Sequence, residues 1–387
     1  MQQNTHAQKL EKGRISALQL SLLMITAVIA TADVFLPSYV AQEAGPDSWI
    51  SVLLGTASSM VLVMMFLTLG LRFPDRTIIQ YSCDILGKIP GKLVGSLYLF
   101  YILDICSSVS RELGEIFVAA FNPDSPLVIY PVITLLVASY ALAKGLEVIV
   151  RVNEFILPIG LGILGLAAIL NLNHLDFSHY LPVMANGLLP PLKGGFLIQT
   201  WILEIVLFLQ VIPYVRDQNK IRKYTAFSVL TLGISMELGV LIIAVFGTLT
   251  GELLYPALEF VRFATIGEFI QNLDITIMGV WIIGMFMKVA ISYYVLVLGV
   301  AQLCNLKTYK TMILPVGLVI ATLSVASSER IINPFNFGHR ILPFYSLTMA
   351  FIIPALLLLV AVLRGIPSKG GKKSKGGSSA GAGKNQL

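Results

Sequence analysis

Nine ionisable side chains, Asp33, Asp104, Arg111, Glu112, Glu115, Glu154, Glu204, Glu237 and Lys288, stand inside stretches of 17–29 mostly apolar residues. Charge at such depth is expensive in lipid, so each group must face a bundle interior, a cavity or a partner. There it can bind a ligand, carry a proton or form a pair. Arg111 and Glu115 are i,i+4 on one helix and can pair. Arg151 and Glu154 lie close to an interface, where Arg can snorkel. Glu237 is mid-run with no evident partner and reads equally as a packing residue or a proton site. Depth along their runs brings Asp104 and Lys288 to one level, which predicts a buried pair. Glu237 and a ligand carboxylate are the other partners open to Lys288. Covalent chemistry has no signature: no GxxxxGK[ST], HExxH, GxSxG or Ser/His/Asp arrangement occurs. Gly160-Leu-Gly162-Ile-Leu-Gly165 matches a dinucleotide spacing but sits in an apolar helix after Pro158, so it reads as close helix packing. No catalytic residue, metal ligand set or cofactor is predicted.

The elements that position these groups follow from composition. Of 387 residues, 56% are of the AVILMFWYC set and 12% are charged, and the mean hydropathy is +0.82. So little charge cannot cover a water-facing surface, which excludes a soluble multidomain enzyme. Ten apolar runs are long enough to cross a ~30 Å hydrocarbon core as helices: Ile15–Val40, Trp49–Leu71, Leu93–Phe121, Pro126–Leu142, Val148–Leu170, Phe196–Val215, Tyr224–Leu249, Ile275–Leu303, Thr311–Ser327 and Ile341–Leu363. With the N-terminus inside, 21 of the 27 Lys and Arg residues fall in inner segments, four in outer ones and two within runs. That asymmetry predicts both termini on the cytoplasmic side. It also accounts for the net charge of +6 without nucleic acid. The predicted organisation is a cytoplasmic segment 1–14, a ten-helix domain 15–365 and a disordered basic tail 366–387, which could touch anionic lipid headgroups. The first run is too long for a cleavable signal peptide. Cys83, Cys106 and Cys304 have no ligand spacing and read as small buried hydrophobes. Gly251–Asp274 places Leu258, Val261, Phe269, Ile270 and Leu273 near helical spacing, an amphipathic helix for lipid or a partner. Arg72–Lys92 has a weaker version of that pattern.

Two runs look interrupted. The first holds Ile29-Ala-Thr-Ala-Asp33 and then Pro37-Ser-Tyr39. The sixth follows Leu189-Pro-Pro-Leu-Lys-Gly-Gly195, holds Glu204 and ends Ile212-Pro-Tyr214. Broken helices at matching positions of two five-helix halves point to an inverted repeat with a midplane site. The predicted ligand contacts are Ala30, Thr31, Ala32, Glu204 and Ile205. Asp33, Asp104, Glu237 and Lys288 are the buried charges that would couple to it.

Ile15-Ser-Ala-Leu-Gln19, Ala44-Gly-Pro-Asp-Ser-Trp-Ile50, Gly145-Leu-Glu147 with Arg151, Glu204 with Pro213, and Leu273-Asp274 with Trp281 and Lys288 together carry a resemblance. Over about Gly13–Leu363 the chain resembles the membrane-embedded B subunit of endospore germinant receptors, the spore germination permease branch of the amino acid–polyamine–organocation superfamily. The resemblance implies an all-α, five-plus-five leucine-transporter-like fold with helices 1 and 6 broken. It also implies residence in the spore inner membrane, partnership with A-type and lipoprotein C-type subunits, and sensing of a small-molecule germinant. The chain departs from the family at the first break, where Ala30-Thr31-Ala32-Asp33 replaces glycine. Asp33 near the start of an outer half-helix would offset its positive dipole end. That disfavours an α-amino acid carboxylate and favours a cationic, neutral or amine-bearing germinant. A non-enzymatic receptor subunit is therefore expected. A proton-coupled secondary transporter of amino acids or small organic cations is the alternative reading, and a membrane scaffold is a third.

Overall fold

The computed structural model describes residues 10–120, 122, 124–263, 273–326 and 341–367. Within them the chain is helical, and seven helical stretches are long and apolar enough to cross a membrane. The first, Ala17–Arg72, contains two helices, α1 (Ala17–Ala44) and α2 (Ser48–Arg72), separated by the turn Gly45–Asp47. After the short α3 (Ile78–Leu86) come α4 (Lys88–Ala120), α5 (Ile129–Lys144) and α6 (Leu146–Leu170). α7 (Leu189–Ile202) runs on as a 3-10 helix, Leu203–Gln210. α8 (Ile221–Val240), α9 (Ile242–Phe246), α10 (Pro256–Phe263), α11 (Leu273–Leu303) and α12 (Ile313–Ala326) follow. The last run comprises α13 (Leu342–Ser346), a π-helical turn and α14 (Ile353–Leu363).

Local chemistry sets the ends of these helices. Ser16 Oγ accepts from Gln19 N while Gln19 Oε1 accepts from Ser16 N, a capping box that starts α1. Gly145, at φ +101°, ends α5 and starts α6 in one residue, a conformation open to glycine and strained for other residues. α1 is apolar on every face, and such a helix belongs inside a bundle. It packs against α7, α8, α11 and α6. α11 is the second central element, buried almost continuously from Met285 to Leu298. By contrast α5, α6, α12 and α14 expose Leu136, Phe155, Leu318 and Leu363, surfaces that suit lipid rather than water.

Several expectations are corrected here. α1 is a continuous helix through Ala30–Asp33, so neither a break nor a half-helix end exists at Asp33. With no glycine there, the segment keeps its helical bonds, as backbone in a dry interior must. Pro37 only removes the N–H that would have met the Asp33 carbonyl. In the sixth run the backbone tightens from α to 3-10 at Leu203 rather than unwinding. Eight residues of 3-10 helix is long for that geometry. Of the three glycines read as helix packing, only Gly160 has a neighbour within reach among the described residues, Val280, while Gly162 and Gly165 have none among them. Cys106 is buried as expected, but Cys304 is exposed. α10 turns Leu258 and Val261 inward, so the described part of the amphipathic segment covers the bundle rather than presenting those residues to lipid or a partner. Phe269 and Ile270 lie outside the described residues, as does the tail beyond residue 367.

Candidate functional site

The first feature of the site is a cavity of about 70 Å³ lined by residues of α1, α6, α8, α9, α10 and α11. Thr26, Ala30 and Asp33 recur at helical spacing and turn one stripe of α1 toward it; Gly160, Phe260 and Trp281 line it from other elements. Gly284 on α11 faces Ala30 across the α1–α11 contact, where a Cβ would stand 3.5 Å from the Ala30 Cβ, an ordinary van der Waals distance. Asp33 is only 6% exposed, and its Oδ1 has no hydrogen-bond partner among the described residues. The Thr26 hydroxyl is committed to the Leu22 carbonyl at 3.1 Å. The cavity is thus apolar apart from one carboxylate.

A second cluster lies on another face of α1. Lys288, 2% exposed, donates to Thr31 Oγ1 at 2.7 Å. Its ammonium also stands 2.6 Å from Glu204 Oε2, at an angle outside hydrogen-bond geometry, so the contact is an ion pair. α1, the 3-10 helix and α11 are thereby pinned together. Glu112 of α4 lies within coulombic reach of Lys288, Glu204 and Asp104. The depth-based pairing of Lys288 with Asp104 is corrected: equal depth leaves the direction around the helix axis undetermined, and Lys288 turns to α1 and Glu204. Of the expected ligand contacts, Ala30 lines the cavity, Thr31 and Glu204 belong to the ion cluster, and Ala32 and Ile205 are packed in the core. The structure therefore divides the predicted site in two.

Elsewhere, Arg111 and Glu115 pair at 2.8 Å. Arg151 meets Glu147 at 3.9 Å. Glu237 borders an open groove with Trp49, Phe177 and Tyr180, and its Oε1 also has no hydrogen-bond partner among the described residues. No three His, Cys, Asp or Glu among the described residues are grouped to hold a metal.

One functional candidate was missed. Glu11, 8% exposed, accepts from Gly13 N at 2.7 Å, Tyr294 Oη at 3.0 Å, Tyr309 Oη at 3.2 Å and Leu146 N at 3.4 Å. Burial, and then the Glu11 carboxylate, push the Tyr309 phenol well above its usual pKa, so it stays a donor. Beside it, Arg14 N donates to Glu147 Oε1 at 2.8 Å, and Ile15 bridges Val215 through Ile15 N to Tyr214 O at 3.1 Å and Arg216 N to Ile15 O at 2.9 Å. Residues 11–17 form a strap across the N-terminal end of the bundle. An acid between Lys9, Lys12 and Arg14 reads as solvated, and nothing in its spacing announces three donors from distant elements beside the local Gly13 N–H.

A family model described as Spore germination protein matches residues 14–331. The chain is 30% identical over 376 residues to Spore germination protein KB of Bacillus subtilis (strain 168), covering 95% of this chain and 99% of that one. Spore germination protein YndE of the same organism is 25% identical over 367 residues, covering 91% and 97%. Among solved structures, MhsT in complex with L-phenylalanine superposes with a TM-score of 0.64 at 15% identity, covering 91% of this chain and 99% of that one. A Na+-coupled sialic acid symporter gives 0.64 at 11% identity, covering 92% of each. The structural likenesses show a shared transporter fold of the leucine-transporter type. The sequence matches show that this membrane protein belongs to the spore germination permease family.

Proposed function

We propose that the protein is the membrane subunit of a spore germinant receptor, which binds a small germinant in the α1–α6–α11 cavity and triggers germination without catalysis. The observation that carries the reading is a cavity with one buried carboxylate among its described lining residues, set directly against the pinned α1–α11 contact. A ligand filling it would bear on the two central helices at once. In this reading the chain crosses the spore inner membrane ten times, with α1 and α2 as separate crossings and α5 and α12 as short ones. Both ends are cytoplasmic, and the signal passes to A-type and lipoprotein C-type subunits.

Filling the cavity from opposite walls tests this. Spores carrying Ala30→Leu or Gly160→Val, with normal amounts of the protein in their membranes, should need at least tenfold more nutrient for half-maximal germination rate. Normal dose–response curves for both variants would remove the cavity from the mechanism. The fold likeness to substrate-binding transporters favours one second reading, a secondary transporter. Ligand-driven uptake by this chain alone in proteoliposomes would decide for it.

A further inference from the structure

We infer that the cavity selects a small organic ammonium ion that carries no carboxylate, with Asp33 as its counter-ion. The inference rests on the cavity being the germinant site. Four observations converge on this chemistry. Asp33 is more than nine-tenths buried and is the only ionisable residue among the described residues lining the cavity. Its Oδ1 has no hydrogen-bond partner among the described residues, and the neighbouring Thr26 hydroxyl already donates elsewhere. A ligand cation would therefore meet an unspent acceptor. Phe260 and Trp281 supply aromatic walls, which attract ammonium groups through their negative faces.

A carboxylate, conversely, would find no cation among the described lining residues. Lys288 lies one turn beyond Gly284 on α11, but its ammonium is engaged by Glu204 and Thr31. A zwitterionic amino acid would have to desolvate its carboxylate without compensation. A metal ion fits no better, because it needs several oxygen ligands and the walls are apolar. Size sets the last limit. At about 70 Å³, the cavity has about half the volume of an engineered one that accepts benzene, which suggests a ligand of about three heavy atoms.

The test uses the full chain in lipid nanodiscs and reads the midpoint of thermal unfolding. Ethylammonium chloride should raise it by about 3 °C or more at saturation, relative to sodium chloride at equal concentration. Ethanol, propionate and L-alanine should not. Asp33→Asn should abolish the amine shift, and Ala30→Leu, which fills the cavity without touching charge, carries the same test if Asp33→Asn does not fold. No shift with ethylammonium, or a shift that survives Asp33→Asn, overturns the inference. A shift with L-alanine or propionate that Ala30→Leu removes also overturns it, while leaving the cavity as a ligand site. Failure of the cavity reading itself is distinguished in spores, where it appears as unaltered germination in the filled variants.

Discussion

Thr31 and Asp33 are two residues apart on α1, yet their faces of the helix differ completely. On the Thr31 face, Lys288 and Glu204 satisfy one another and a hydroxyl, and three elements are fixed by that contact. On the Asp33 face, a carboxylate of similar burial meets apolar and aromatic walls. Lipid-depth charge is thus used in two ways by one helix. A paired charge is spent on architecture, and removing one member leaves the other stranded. An unpaired carboxyl group fixes no neighbouring element among the described residues.

This contrast can be broken by substitution, with the largest effect on the paired face. Lys288→Met strands Glu204, and losing one partner of a buried pair costs about 3–5 kcal/mol. Purified yield and thermal midpoint should fall sharply, and adding Glu204→Gln should restore part of both. A double variant no better than Lys288→Met would separate the two residues. Glu11 is an intermediate case, a buried acid satisfied by neutral donors. Glu11→Ala orphans the Tyr294 phenol and two backbone amides, while Tyr309 keeps the Leu142 carbonyl, and should cost about 1–3 kcal/mol. The same thermal measurement checks this, and an unchanged midpoint would mean the strap is not held by its carboxylate. The smallest effect belongs to Asp33→Asn, which removes no partner and should alter stability by less than about 1 kcal/mol. A loss as large as that of Lys288→Met would give Asp33 a structural role and erase the comparison.

Much of this arrangement was legible from residue types. Lipid-length apolar runs declare membrane helices because a helix satisfies its own backbone in hydrocarbon within one segment, and the buried charges stand out because charge is costly at that depth. What was not legible is direction around a helix. Depth suggested Asp104 for Lys288, and adjacency grouped Ala30, Thr31 and Ala32 into one site. Yet consecutive residues of a helix point about 100° apart, and the structure sends them to a cavity, an ion cluster and the core. Pro37 was read as a break because proline removes a bond; it removes just that one. The Gly160–Gly165 pattern was read as contact because small residues permit it. Only the third dimension reveals that two of the three glycines have no neighbour to contact among the described residues.

The strap has a consequence for how the chain is made. Its partners are far apart in order of synthesis: Ala17 N meets Asp217 Oδ1 across 200 residues, and Glu11 meets Tyr309 across 298. At about 5–20 residues per second, Tyr309 emerges from the ribosome about 15–60 s after Glu11. During that interval the first helices can already be in the bilayer while the partners of their leading segment arrive one after another, Leu146 and Glu147 first, then Tyr214 and Asp217, and Tyr309 last. The N-terminal end of the bundle consequently cannot close fully until Tyr309 has been made, and its clasp reports that the far half of the chain has arrived.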